Sequence, residues 1–421
     1  MREWKEIKLG ELLNVITKGT TPPKGVGFVD NGINYVKSDA IGYDRKLDKT
    51  KIVHINEETH QRFKRSQLAE NDILFSMAGI YLGKNAIVTK DILPANTNQA
   101  LAILRLNQEK ANPTYVSLYL SQQIMIDYVN NMSGQSAQPN VNFEEIKSIE
   151  IILPPISEQT AIASVLSSLD DKIDLLHRQN ATLEKMAETL FRQWFVEPIK
   201  RITNEGAIID GFSNAVLGIW IKETIGGEWG KENAEGDFNK AVCCIRGTDI
   251  ADLNNGLPLK TPIRFVKETK FKNIEPQEGD LIIEISGGTE SQSTGRVCYV
   301  NQDVKNLFTC PIVFSNFCRM IRINKPEHSF FLYCYIRYLY NQDEFFNLEN
   351  GSSGIKNLDY KALLFELKYP MPNESMIIIF HEQVETLFRK VNQNKSQIRT
   401  LTTLRDTLLP KLMSGEVRVE V

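Results

Sequence analysis

From Ile162 the apolar positions recur at alternating steps of three and four, through Leu166, Leu169, Ile173, Leu176, Asn180, Leu183, Ala187 and Leu190 to Trp194. This predicts a long helix with one narrow apolar seam. The pattern returns, displaced by 218 positions, as Phe380, Val384, Leu387, Val391, Asn394, Ile398, Leu401, Arg405, Leu408 and Leu412. A stripe so narrow needs a partner helix to be buried, and the other copy is the obvious one. Antiparallel pairing of positions that sum to 574 brings Leu176 to Ile398, Leu183 to Val391, Leu190 to Val384 and Ala187 to Leu387. It also sets Asn180 beside Asn394, where two amides in one layer would fix the register. Arg405 falls opposite Leu169, and its head is expected to snorkel outward. At ~1.5 Å per residue, a helix of roughly forty residues is about 60 Å long, a ruler with something mounted at each end.

The repeat extends to strand patterns. Tyr35–Ile41 reads as a strand end and turn, with Cys244–Ile250 as its counterpart. Glu70–Gly79 (ENDILFSMAG) matches Glu278–Gly287 (EGDLIIEISG), each a tight turn feeding a buried strand. Each resumes as a second strand, Gly83–Val88 and Gly295–Val300, with a longer connection (GGTESQST) in the second half. Strand-like Ala100–Leu106 and Asn316–Ile323 lead to helices opened by Pro113 and Pro326. Polar loops follow at 133–140 and 351–358, then a short helix and strand, then Pro154–Pro155 or Pro370 and Pro372, read as stiff hinges before the long helices. The predicted fold class is α+β: two similar α/β domains and two long antiparallel helices in a pseudo-two-fold internal repeat. The boundaries are 1–152 for the first domain, 153–198 for the first helix, 199–370 for the second domain and 371–421 for the second helix and tail. A linker, Glu197–Gly211, separates the halves.

Composition narrows the class. A chain of 421 residues suggests two to three domains, and 42% hydrophobic with 24% charged residues is ordinary for a soluble protein. No apolar run reaches the ~20 residues that span a bilayer, and Met1–Leu13 is too charged for a signal peptide, so no membrane association and a cytoplasmic location are expected. The six cysteines (Cys243, Cys244, Cys298, Cys310, Cys318, Cys334) lack zinc-site spacing and read as small core residues in a reducing compartment. A net charge of -3 announces no general polyanion binder.

Catalytic patterns are sparse. Asn112-Pro113-Thr114-Tyr115 is similar to the Asn-Pro-Pro-Tyr element of amino-methyltransferases, but no Gly-rich adenosylmethionine loop accompanies it, and a helix start explains it better. No G-x-x-x-x-G-K-[ST] loop is present. Asp280 and Glu284 could pair as metal-binding carboxylates of a nuclease, yet the expected lysine is missing. The histidines, among them His177 and His381 on the long helices, read as solvated, and no metal or catalytic site is assigned. What remains is binding chemistry: duplicated hairpin tips and Gly/Ser/Gln/Asn loops offer short donors and acceptors to a duplex. The candidates are Lys37, Ser76, Lys84, Ser136, Gln138 and Asn140 in the first half. In the second they are Arg246, Thr289, Ser291, Gln292, Ser293, Arg296, Ser352, Ser353 and Lys356.

Here the chain resembles the specificity subunits of type I restriction-modification systems. The resemblance rests on Trp4–Gly19 (WKEIKLGELLNVITKG), on the ENDILFS and EGDLIIEIS turns, on Leu153–Leu176 (LPPISEQTAIASVLSSLDDKIDLL) and on Leu404–Val419 (LRDTLLPKLMSGEVRV). It implies a non-catalytic reader of a bipartite asymmetric sequence in double-stranded DNA, one target recognition domain per half-site. The helices would space the domains and dock two methyltransferase subunits, with restriction/translocase subunits joining outside. No cofactor is expected in this chain, since S-adenosylmethionine and ATP would bind the partners. Service to a fused methylase-nuclease, or a coiled-coil scaffold that never touches DNA, are the alternatives. At the second helix Asn373-Glu374-Ser375-Met376 replaces Ile156-Ser157-Glu158-Gln159, so its cap and docking surface depart from the pattern.

Overall fold

A computed structural model describes residues 4–23, 27–79, 82–132, 139–199, 211–255, 260–289, 291–351 and 355–420. It divides into two compact units, Met1–Asp171 with Thr403–Val421, and Lys172–Thr402.

In the first unit a four-stranded antiparallel sheet has the order Leu13–Lys18, Leu101–Leu106, Ile73–Ser76, Asn85–Ile87. The central strands read as nearly continuous apolar runs because both faces are covered. A second sheet pairs Ile33–Val36 with Val53–Ile55 antiparallel and with Ala95–Thr97 parallel. Lys5–Lys8 pairs with Glu150–Leu153. The main core joins Leu9, Phe75, Leu104 and Tyr115 to Ile162 and Leu166 of the first long helix and to Leu412 and Met413 of the second.

The second unit repeats this scheme. Its four-stranded sheet has the order Ile221–Gly226, Cys318–Ile323, Leu281–Glu284, Val297–Tyr299. Phe238–Ile245 pairs antiparallel with Ile263–Lys267 and parallel with Ile312–Phe314, and Phe212–Ala215 pairs with Tyr369–Pro372. Even the irregularities recur, with register shifts between Leu13 and Val15 and between Ile221 and Glu223. The turn before the central strand needs a left-handed residue in both halves, Asn71 at φ 68° and Gly279 at φ 90°. In each, the next residue is a buried aspartate that accepts from an arginine on the neighbouring strand: Asp72 from Arg105 Nε and Nη2, both at 2.7 Å, and Asp280 from Arg322 Nε and Nη2 at 3.4 and 3.2 Å.

The first long helix runs Ile156–Phe191 and passes into a wider turn at Arg192–Val196, while the second runs Glu374–Ser414. Asn373 caps the second, its Oδ1 accepting from the Met376 N–H at 3.0 Å, a contact typically worth ~1 kcal/mol. At the first helix start, Gln159 accepts from the Asn112 N–H and donates to the Pro154 carbonyl, while Glu158 accepts from Trp4 Nε1 at 3.0 Å. The Glu-Gln pair therefore latches the helix to its own unit.

Several sequence expectations are corrected. Pro370 and Pro372 lie within a strand rather than in a hinge, since a two-stranded sheet is all edge and tolerates missing N–H donors. Arg405 does not simply snorkel: its Nη1 meets Asp170 at 3.0 Å, and Asp170 also accepts from Arg45. Cys243 and Cys310 form a disulfide across a Cα–Cα distance of 5.8 Å, because the parallel pairing of Cys243 with Ile312 brings Cys310 alongside. The other four cysteines are free and buried. His381 is not solvated but half-buried against Phe330, with ring centroids 5.0 Å apart. Asp280 and Glu284 each face an arginine, which leaves no open carboxylate pair for a metal. Among the described residues no helix is long and apolar enough to cross a membrane.

Candidate nucleic-acid interface

In each unit the segment after the central strand pairs with the end of the polar loop. In the first, Gly79 N–H donates to the Pro139 carbonyl at 3.0 Å, Val141 N–H donates to Met77 at 2.9 Å, and Ala78 bridges Asn140. In the second, Ser286 and Gly287 pair with Asn357 and Lys356, and Leu358 N–H donates to Ile285 at 3.0 Å. The strand end leading into the hairpin and the residues closing the polar loop, read separately in the sequence, thus form one rim per unit.

On the first rim, Asn140 is exposed. Lys84 places Nζ 4.3 Å from the ring centroid of Tyr43, and burial pushes its pKa down. Lys37 follows the strand Ile33–Val36, with Nζ 5.6 Å from the Phe28 centroid. Ser76 is a correction: the strand end turns its side chain inward, where the buried hydroxyl has no hydrogen-bond partner among the described residues. Ser136 and Gln138 lie outside the described residues, as do Ser352 and Ser353.

On the second rim, Thr289, Ser291 and Gln292 are exposed, and the Thr289 N–H donates to the Gln292 carbonyl at 2.8 Å. Ser293 is the other correction, buried where its carbonyl accepts from the Tyr340 hydroxyl. Lys356 Nζ lies 2.9 Å from Glu349, whose other oxygen accepts from the Thr294 N–H. One carboxylate therefore ties the hairpin loop to the polar loop. Arg246 is held by Asp249 and Arg296 by Glu284, and each arginine has its pKa raised by the carboxylate that accepts from it.

The sequence reading missed Tyr43 and Phe317, both about half exposed on these rims, and Glu284 and Glu349 as anchors. Phe317 carried a signal, a lone aromatic after Ser315-Asn316 whose carbonyl accepts from the N–H groups of Ile285 and Ser286.

The helix seam can be described within the second unit. Ile173, Leu176 and Ile398 form one buried cluster, and Asn394 Nδ2 donates to Asn180 Oδ1 at 2.9 Å, so the two amides share a layer. Val384 and Val391 are buried, and Leu183 and Leu190 half-buried. Beyond them Phe191, Phe195, Phe331 and Phe380 pack edge to face.

Residues 1–185 match the family described as type I restriction modification DNA specificity domain. The MjaIX specificity subunit of Methanocaldococcus jannaschii is 30% identical over 346 residues, covering 78% of this chain and 74% of that one. This chain belongs to the type I restriction enzyme specificity subunits. The HindI specificity subunit of Haemophilus influenzae is 22% identical across 99% of this chain and all of its own. The S subunit structure from M. genitalium has the same fold, with a TM-score of 0.61 over 100% of this chain and 97% of that one at 17% identity. As a specificity subunit the chain recognises DNA sequence and is non-catalytic.

Proposed function

We propose that each unit reads one half of a split, asymmetric DNA sequence through the rim formed by its hairpin turn and polar loop. The observation that carries this reading is a repeated scaffold with unlike side chains in equivalent places: Ser76, Lys84 and Ala100 in one unit, Glu284, Arg296 and Phe317 in the other. Equal frames with unequal contact chemistry suit two different half-sites. The contacts fall to Lys37, Lys84, Asn140 and, outside the described residues, Ser136 and Gln138 in the first half. In the second they fall to Arg246, Thr289, Ser291, Gln292, Arg296, Lys356 and, outside the described residues, Ser352 and Ser353.

The long helices each begin in one unit and end in the other, and we assign them the spacing of the half-sites at about one helical turn, ~34 Å. Two methyltransferase subunits dock on them, with restriction/translocase subunits outside. S-adenosylmethionine and ATP bind those partners, and the partners supply much of the phosphate grip that a chain of net charge -3 lacks.

The test is duplex retardation by the chain together with its methyltransferase, using the sequence found by methylation mapping. Preference for the intact split sequence over one with either half scrambled supports the reading, and equal retardation overturns it. Exchanging residues 287–296 should change one half-site only. Removing seven residues in register from both helices should shift the tolerated spacer and leave the half-sites unchanged.

A further inference from the structure

Two arginines of the second unit are gripped side-on by buried carboxylates. Arg296 donates Nε and Nη2 to Glu284 at 2.9 and 2.6 Å, and Arg246 donates the same nitrogens to Asp249 at 3.0 and 2.8 Å. The two pairs adjoin, because a Cβ on Gly247 would stand 2.4 Å from Glu284 Oε1. Gly287, at φ 151°, presses on the same oxygen, where a Cβ would come to 2.6 Å. Glu284 is thus packed between two backbones that only glycine allows, and it cannot swing away from its arginine.

What the grip leaves over differs between the two. The second Nη2 hydrogen of Arg246 goes to the Lys260 carbonyl at 3.1 Å, which occupies the outer edge of that guanidinium. In Arg296, among the described residues, nothing accepts from Nη1 or from the second Nη2 hydrogen. The side chain keeps 18% exposure, and Thr289, Ser291 and Gln292 of the same hairpin connection are exposed. An arginine fixed through its Nε edge presents its Nη1/Nη2 edge as two parallel donors, which fit two adjacent acceptors on one base. In the major groove guanine offers that pair, O6 and N7, whereas adenine sets a donor beside its acceptor.

We propose that Arg296, positioned by Glu284, is a specificity-determining residue that requires a guanine at one position of the half-site read by the second unit. The equivalent place in the first unit, held by Ser76 and Lys84, makes no such demand. This rests on the DNA-reading function proposed above.

The experiment uses the complex of the full chain with its methyltransferase and the duplex found by methylation mapping. Guanines are replaced one at a time by 7-deazaguanine, which lacks only the N7 acceptor, so the protein is unaltered. One replacement in one half-site should weaken binding by roughly 5- to 150-fold, the range for a bidentate contact. With Arg296→Lys the same replacement should make less than a twofold difference, while discrimination at the other half-site persists. The proposal is overturned if the mapped duplex is preferred over scrambled DNA yet no replacement costs more than twofold. It is also overturned if Arg296→Lys remains as sensitive as the parent. Should Arg296→Lys fail to fold, the replacement series on the parent decides. Equal binding of mapped and scrambled duplex would instead bring down the reading function itself.

Discussion

Both units pair their buried or half-buried acids with bases, one pair at the same place in each and others at places of their own. In the first, Asp170 on one long helix lies between Arg405 on the other and Arg45 from the recognition domain. In the second, Glu184 lies between Lys395 and Arg337, each 3.6 Å away. These two clusters are not counterparts, since a shift of 218 sets Phe388 against Asp170 and Ala187 against Arg405, whereas Asp72 with Arg105 and Asp280 with Arg322 occupy one place in the frame. At the rims the rule lapses. Among the described residues nothing pairs with the Ser76 hydroxyl, where Glu284 binds an arginine bidentately. Positions that close the frame must satisfy buried charge in both halves, whereas rim positions are released from that demand and can carry sequence information.

The largest expected effect tests the shared frame. Asp72→Ala leaves the Ala69 N–H without its acceptor and frees a guanidinium that is 39% exposed, and should lower unfolding free energy by about 3 kcal/mol in chemical denaturation. Asp280→Ala, whose arginine contacts are longer, should cost about 2 kcal/mol. The rim slot comes next: Glu284→Ala should cost about 3 kcal/mol, whereas Ser76→Ala should stay within about 0.5 kcal/mol because its hydroxyl makes no hydrogen bond among the described residues. Equal losses at the two slots would mean that they are not counterparts.

In the helix seam, Asn180→Leu or Asn394→Leu alone should destabilise by about 1–2 kcal/mol, since each leaves a buried amide unpaired. The double variant should recover most of that loss, and a double-mutant cycle measures the coupling. The smallest effect is at His381, whose pKa is lowered by burial. Its neutral form is favoured by folding, so its contribution is complete above the ordinary histidine pKa and fades as pH falls from there toward the lowered value. His381→Gln should flatten that part of the stability profile by less than about 1 kcal/mol.

The periodic features were legible in the sequence. Two seams of matched register predicted the long helices, and a mid-seam asparagine in each pointed to the Asn180–Asn394 layer. The turn shared by Asn71-Asp72 and Gly279-Asp280 was visible because the backbone there demands particular residue types. The paired charges were not. Arg105 and Arg322 lie 33 and 42 residues from their carboxylates, and nothing local distinguishes a paired arginine from a solvated one. The inward turn of Ser76 and Ser293 escaped for a related reason, since a small polar residue at a strand end or in a loop fits either side. The disulfide depends on a parallel strand pairing that spacing does not announce.

The first unit is built from residues far apart along the chain. Leu412 and Met413 lie in its core, the ring of Trp4 packs on Gly415, and Arg418 reaches toward Glu158. The second unit is one continuous stretch. During synthesis, therefore, the half that is translated earlier cannot close its core until the far end of the chain has been made. Until residues 403–420 emerge, its apolar interior stays open along one side, a window in which a chaperone or a protease would find the nascent subunit.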